Sequence, residues 1–410
     1  MQRGGLKALV GLVALMLVAG ACGKAKTSEQ GQKSKKPLLI GASLPLTGDF
    51  SEPGSAAKQG YEVWRDMVNT AGGLLGRPVK LVIRDDASDQ NTIVSDYNRL
   101  ISQDKVDLLL GSFSSLLNIP ASAVAERNQK VYICPACGSP DMFSRGFHFL
   151  FFAQPARAVH QADLFSEWVV SLPADQRPKT AAYPAQDDPF AAPVIDGIKE
   201  KLEAAGIKTV YAKVYPPDTT NLDPIASAIK SSGAQLVAQG SVFEDGVALV
   251  RSLIKVGYNP KTMFQTTAPS LGAQYANGVG SGNTEGIFYA VSWSPEADYP
   301  VNKDFVQNYI AKFGGQVTEI PEDAADGFAA AQVLQAAVKG VGSLDQKALA
   351  DWIHSHTVNT ILGPLSWDET GAPQQAFILA QWQGGKSQIV APKAVATSAQ
   401  IVFPKPNWQG

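Results

Sequence analysis

From Leu38 onward the chain alternates short apolar runs with longer stretches of helical spacing, and this alternation happens twice. Residues 38–42, 79–83, 106–110 and 131–133 read as strands. Residues 56–68, 93–101 and 114–125 read as the helices between them, the first with Tyr61, Trp64 and Val68 on one face. A turn-rich stretch, 45–54, separates the first strand from the first helix. After Pro155 the order restarts, with helices at 159–170, 194–205, 225–230 and 247–256 and strands at 179–183, 209–214, 235–238 and 262–265. Residues 287–291 begin a return, followed by helical 305–313, 324–338 and 349–354 and by short strands around 377–382. Repeated βαβα order predicts an α/β fold of two doubly wound, largely parallel-sheet lobes covered by helices. In open α/β sheets ligands settle at the carboxyl ends of strands, so two lobes imply a cleft that a hinge can close.

The N-terminus has a different character. Arg3 and Lys7 precede an unbroken apolar and glycine run over 8–19, and Gly20-Ala21-Cys22 follows. Basic, then apolar, then small is the plan of a secretory leader. The run is shorter than the roughly 20 residues that span a bilayer. It resembles a bacterial lipoprotein signal over 1–21, which implies lipidation at Cys22. Ala19 stands where a larger aliphatic residue is usual, so an ordinary cleaved leader is the alternative. Residues 22–37 read as a lipidated, flexible linker, because 23–36 contain no aromatic residue and no aliphatic larger than Ala25. Either way the protein is expected outside the cytoplasm, and the lipoprotein reading holds it to the membrane by lipid.

A net charge of -2 argues against nucleic acid as a partner. No later segment is long and apolar enough to span a membrane. Cys134-Pro135-Ala136-Cys137 has the spacing of a thioredoxin-type motif, but Gly138-Ser139-Pro140 follows at once and reads as a loop. A loop disulfide between Cys134 and Cys137 or two separate thiols are the bland readings. An exported thiol–disulfide oxidoreductase is the different-class alternative.

Several segments carry a resemblance. Leu39-Ile40-Gly41-Ala42 leads into Pro45-Leu46-Thr47-Gly48, and Ala71-Gly72-Gly73 precedes Gly76-Arg77-Pro78-Val79. Asp85-Asp86 ends a strand, and Gly363-Pro364-Leu365-Ser366-Trp367-Asp368 lies near the end. In this order they resemble type I periplasmic solute-binding proteins of ABC importers, in the leucine/isoleucine/valine-binding branch. The resemblance covers nearly all of 38–390. It implies two lobes joined by three crossings, near Gln154, Gly286 and Gly363. Lobe one is expected over 38–153 plus 287–362, lobe two over 154–286 plus 363–395, and a C-terminal tail over 396–410.

The resemblance also places a ligand site. Phe113, Ser114 and Ser115 match the loop that holds an amino-acid carboxylate, and hydroxyls and free N–H groups at a helix start favour an anion. Simple helix capping by Ser114 and Ser115 is the alternative. Ala136, Gly138 and Ser139 match the second loop, where Gly138 replaces a common hydroxyl residue and Ser139 is a substitute. Phe190, Phe243 and Phe328 match aromatic positions facing the cleft, with core packing as the alternative. Relatives that bind amino acids place an acid after a late strand of lobe two, but Gln265-Thr266-Thr267-Ala268 holds none. Glu244, Asp245, Asp187 or Asp188 are the candidates to compensate. Failing that, the ligand is an amide or an aromatic acid.

Other signals are weak. Gly385-Lys386-Ser387 lacks the rest of a phosphate loop, and His354 and His356 lack a ligand cluster, so no cofactor and no metal is expected. Asp85, Asp86 and Asp89 read as a strand end and a helix cap. The expectation is a monomeric, non-enzymatic receptor that captures an amino acid, branched-chain by resemblance, for a permease with cytoplasmic ATPases.

Overall fold

The computed structural model describes residues 36–409; the leader, Cys22 and most of the linker lie outside them. The first lobe is built on β1 (Leu38–Leu44), β2 (Val79–Asp85), β3 (Leu108–Leu110), β4 (Tyr132–Cys134) and β5 (Leu150–Phe152). They form one parallel sheet in the order β2-β1-β3-β4-β5. The second lobe uses β6 (Thr180–Gln186), β7 (Lys208–Tyr215), β8 (Leu236–Gln239), β9 (Thr262–Gln265) and β10 (Ile287–Val291). A small ladder of β11 (Val358–Thr360) and β12 (Gly363–Leu365) precedes the last strands, β13 (Ile378–Gln383) and β14 (Lys386–Ala391). The second sheet runs β14-β13-β10-β9-β8-β6-β7, parallel except for its last two strands in the chain. This is the two-lobed α/β architecture that the alternating pattern predicts.

Strand pairing moves two expected boundaries. β10 lies between β9 and β13, so 287–291 belongs to lobe two and the chain leaves that lobe after Val291 rather than near Gly286. The β11–β12 ladder is not a crossing at Gly363. Val358, Ile361, Leu362, Leu365 and Trp367 pack into the core of lobe one, and Trp367 Nε1 donates to the Phe152 carbonyl at 2.7 Å. Phe377 is the next large side chain in the core of lobe two, so the third crossing follows Trp367. The expected tail is bound to lobe two. Gln381 and Val402 exchange two hydrogen bonds, and the Lys405 N–H donates to the Lys261 carbonyl at 2.7 Å.

Three helices also differ from expectation. The first runs Ser51–Thr70 and absorbs part of the turn-rich stretch, since a proline such as Pro53 is tolerated in a first turn. The stretch read as 159–170 is a 3-10 turn, Ala158–His160, followed by the helix Asp163–Ser171. The helix read from Ala324 begins a half-turn earlier and spans Glu322–Val341.

Ser51–Thr70 and Glu322–Val341 cross with their backbones almost touching. A Cβ on Gly60 would strike the Ala324 carbonyl, and one on Gly327 would lie 2.5 Å from the Ala57 carbonyl. Only glycine permits that approach. Trp64 Nε1 donates to Gln335 Oε1 at 2.8 Å and fixes the rotation of one helix against the other. The crossing therefore sets where the first turn of Glu322–Val341 points.

Candidate functional site

The ends of β3, β4 and β5 in lobe one face the second lobe across a cavity of about 510 Å³ including its open mouth. Phe113, Ser114 and Ser115 line it from the turn after β3, and Ala136 lines it from the turn after β4. The two turns pair as an isolated parallel bridge between Phe113 and Ala136. Asn118 clamps them, with its Nδ2 donating to the carbonyls of Ser112, Ser114 and Ala136.

The serines divide their work. Ser114 precedes the helix Ser115–Arg127, yet its hydroxyl caps nothing. It is buried on the cavity wall without a partner. An orphaned buried hydroxyl is costly, and here it is aimed at the space a ligand would fill. Ser115 Oγ accepts the Ser139 N–H at 3.1 Å and so braces the second turn.

The remaining sequence candidates separate cleanly. Phe190 lines the cavity from lobe two, seated by Asp188, which accepts the N–H groups of Phe190 and Ala191 at 2.8 Å. Gly138 and Ser139 sit behind the wall. Gly138 packs against the rings of Phe152 and Phe190, and Ser139, which accepts the Asp141 N–H, is not among the residues that line the cavity. Phe243 packs against the core of lobe two, and Phe328 is 1% exposed in the core of lobe one, 4.8 Å from the Phe305 ring. For these two the packing alternative holds.

None of the expected compensating acids reaches the cavity. Asp187 and Glu244 are exposed, Asp188 is engaged by the Phe190 and Ala191 N–H groups, and Asp245 accepts the Tyr215 hydroxyl at 2.7 Å and the Val242 N–H at 2.9 Å. The acids come from lobe one. Glu322, Asp323 and Asp326, at the start of Glu322–Val341, all line the cavity. Their spacing puts Glu322 and Asp326 one turn apart on one face. Asp326 accepts Gln154 Nε2 through Oδ2 and the Ser292 hydroxyl through Oδ1, both at 2.6 Å. Glu322 Oε1 accepts the Ser292 N–H and lies 2.7 Å from the Ser292 hydroxyl, whose single proton the two carboxylates share. Asp323 has no ion pair and bonds only its own N–H. Burial, with Glu322 alongside, pushes Asp323 up to about 8, and burial lifts Glu322 to about 7. Burial and its two carboxylate neighbours hold Asp326 well above its ordinary value. No Lys, Arg or His lines the cavity among the described residues.

Cys134 and Cys137 are disulfide-bonded and fully buried, with Cys137 on the cavity wall. Cys134 closes a strand and a loop follows, which is not the helix start that redox chemistry uses. Asp89 is the helix cap that its position implied, accepting the N–H groups of Asn91 and Thr92. The described residues contain no metal-binding cluster and no helix long and apolar enough to cross a membrane.

Two parallel-sheet lobes around a small, acid-walled cavity define a solute-binding protein, not an enzyme. The chain belongs to the periplasmic binding protein family, whose sequence pattern matches residues 37–387. The family is extracytoplasmic and serves ABC transporters of the branched-chain amino acid type. An amino acid binding protein of Pseudomonas aeruginosa is 27% identical, covering 84% of this chain and 90% of its own. The fold matches a leucine binding protein of Thermotoga maritima with a TM-score of 0.76 at 19% identity, over 86% of this chain and 98% of that one. It matches an R. palustris solute binding protein in complex with benzoate with a TM-score of 0.74 at 20% identity, over 88% and 99%.

Proposed function

We propose that this chain is the solute receptor of an ABC importer and that it captures an amino acid or close derivative between its lobes. One observation carries the reading: a single cavity holds an uncommitted carboxylate, Asp323, and an uncommitted hydroxyl, Ser114. A buried ligand ammonium requires an anion, and a carboxylate or carbonyl requires donors. Asp323 and the Ser114 turn meet both needs, while Phe113 and Phe190 give an apolar side chain its walls. The names of the curated relatives favour the same ligand class. In this reading Cys22 carries the lipid, the linker gives reach along the membrane, and the closed monomer hands its solute to a permease driven by cytoplasmic ATPases. No cofactor takes part.

An aromatic acid is the second reading, favoured by the benzoate-bound neighbour. Three carboxylates and no basic side chain on the wall oppose it. Calorimetric titration of the full chain in mild detergent with amino acids, simple amides and benzoate separates the two. Binding of α-amino compounds that is lost in Asp323→Asn supports the first; binding of benzoate alone overturns it.

A further inference from the structure

We infer that the solute is an amino acid whose side chain ends in a hydroxyl or a carboxamide, and that Gln161 of lobe two reads that end. The inference rests on the amino-compound reading above and narrows it.

The two lobes offer the cavity different groups. Lobe one brings the Ser114 turn and Asp323, assigned above to the carboxylate or carbonyl and the ammonium that all amino acids share. Lobe two brings Phe190 and three uncharged polar side chains, Gln161, Thr267 and Ser270. Gln161 follows the 3-10 turn Ala158–His160, a short way past the first crossing, and its Oε1 is buried without a partner. The Ser270 hydroxyl gives its single proton to the Thr267 carbonyl at 2.8 Å, so only its lone pairs remain. The part of the solute that projects away from lobe one therefore meets acceptors in need of a donor.

An aliphatic tip does not meet that need. It would displace water from Gln161 and leave a buried carbonyl oxygen unpaired, which is costly. Sites that hydrogen-bond a ligand group reject the analogue lacking it for this reason. An ammonium or guanidinium tip would need a second free acid, and Glu322 and Asp326 are already engaged by Ser292 and Gln154. A hydroxyl or carboxamide supplies the donor without a charge. Each also accepts, so each suits the Gln161 amide turned end for end as well.

L-leucine and L-asparagine have side chains of the same branched shape, as do L-valine and L-threonine, and each pair differs in its polar atoms alone. The full chain in mild detergent is titrated calorimetrically with all four at neutral pH. In at least one pair the polar member is expected to bind about tenfold tighter or more, the worth of one hydrogen bond. Apolar members that bind as tightly or tighter in both pairs overturn the inference and leave the amino-compound reading standing. Failure of all four to bind overturns the inference, and if benzoate then binds, the reading beneath it falls too. Gln161→Leu, with its folding checked by thermal melting, is expected to bring the ratio of the favoured pair under about threefold. Gln161→Met takes its place should the leucine variant not fold. An unchanged ratio in the folded variant, equal weakening of both members included, overturns the assignment to Gln161.

Discussion

Gln154 Nε2 donates to Asp326 Oδ2 at 2.6 Å, which joins the first crossing between the lobes to the acid wall of the cavity. Ser292, just beyond β10 at the second crossing, donates to the other oxygen of the same carboxylate. One carboxylate thus ties together two of the segments about which the lobes would hinge. Occupancy of the cavity and the geometry of the crossings are linked through its two hydrogen bonds.

Gln154→Ala removes one of the two side-chain donors to that buried carboxylate. Burial keeps that carboxyl protonated at neutral pH, and loss of a hydrogen bond to an uncharged group costs about 0.5–1.5 kcal/mol. Urea denaturation is expected to show a loss of that size. The same change in Asp326→Asn background is expected to cost less, which a double-mutant cycle reads directly.

The acid wall makes stability and binding respond oppositely to rising pH. Asp323 and Glu322 titrate near 8 and 7 in the folded chain, against about 4 in an unfolded one. Between those values the folded state binds protons that the unfolded state has lost, so their contribution to stability falls as pH rises. A ligand ammonium needs the carboxylates ionised, so affinity rises over the same interval and binding releases protons. The groups that face the acids are one another, Ser292, Gln154 and Tyr61. Melting temperatures of ligand-free protein from pH 5 to 9, compared with Asp323→Asn, are expected to show a shallower fall in the variant.

Ser114→Ala distinguishes a ligand donor from a helix cap. Removal of a cap costs about 1 kcal/mol. The Ser114 hydroxyl caps nothing, so the variant is expected to melt at or slightly above the parent temperature. Calorimetry is expected to show roughly tenfold weaker solute binding, the loss of about one hydrogen bond.

Gly60→Val is expected to disturb the site from a distance. Its side chain would enter the backbone of Glu322–Val341 at Ala324. Overpacking of this kind costs about 1–3 kcal/mol. Because the struck residue adjoins Asp323, ligand affinity is expected to fall together with the melting temperature.

Much of this architecture was legible in the chain because period-2 and period-3.6 patterning is local. Every strand from β1 to β10 except β5 falls on a run read as a strand, and Tyr61, Trp64 and Val68 share a buried face. The acid wall was not legible. Apolar spacing begins at Ala324, so Glu322 and Asp323 read as the approach to a helix, and acids are common in first turns for their interaction with the helix dipole. Nothing local says that this turn meets Ser114, some two hundred positions earlier. The rings of Phe113 and Phe328 illustrate the same gap. Both are apolar and buried, and only the tertiary arrangement puts the first on the cavity and the second beside Phe305.

The second sheet places β10 between β9 and β13, although β13 lies about ninety positions further along the chain. While the chain is being made, β10 therefore waits with one edge of N–H and C=O groups bare, and with nothing for residues 401–409 to fasten onto. Lobe two can be completed only after lobe one has all its parts. A nascent chain of this topology keeps its second sheet open until its closing strands arrive.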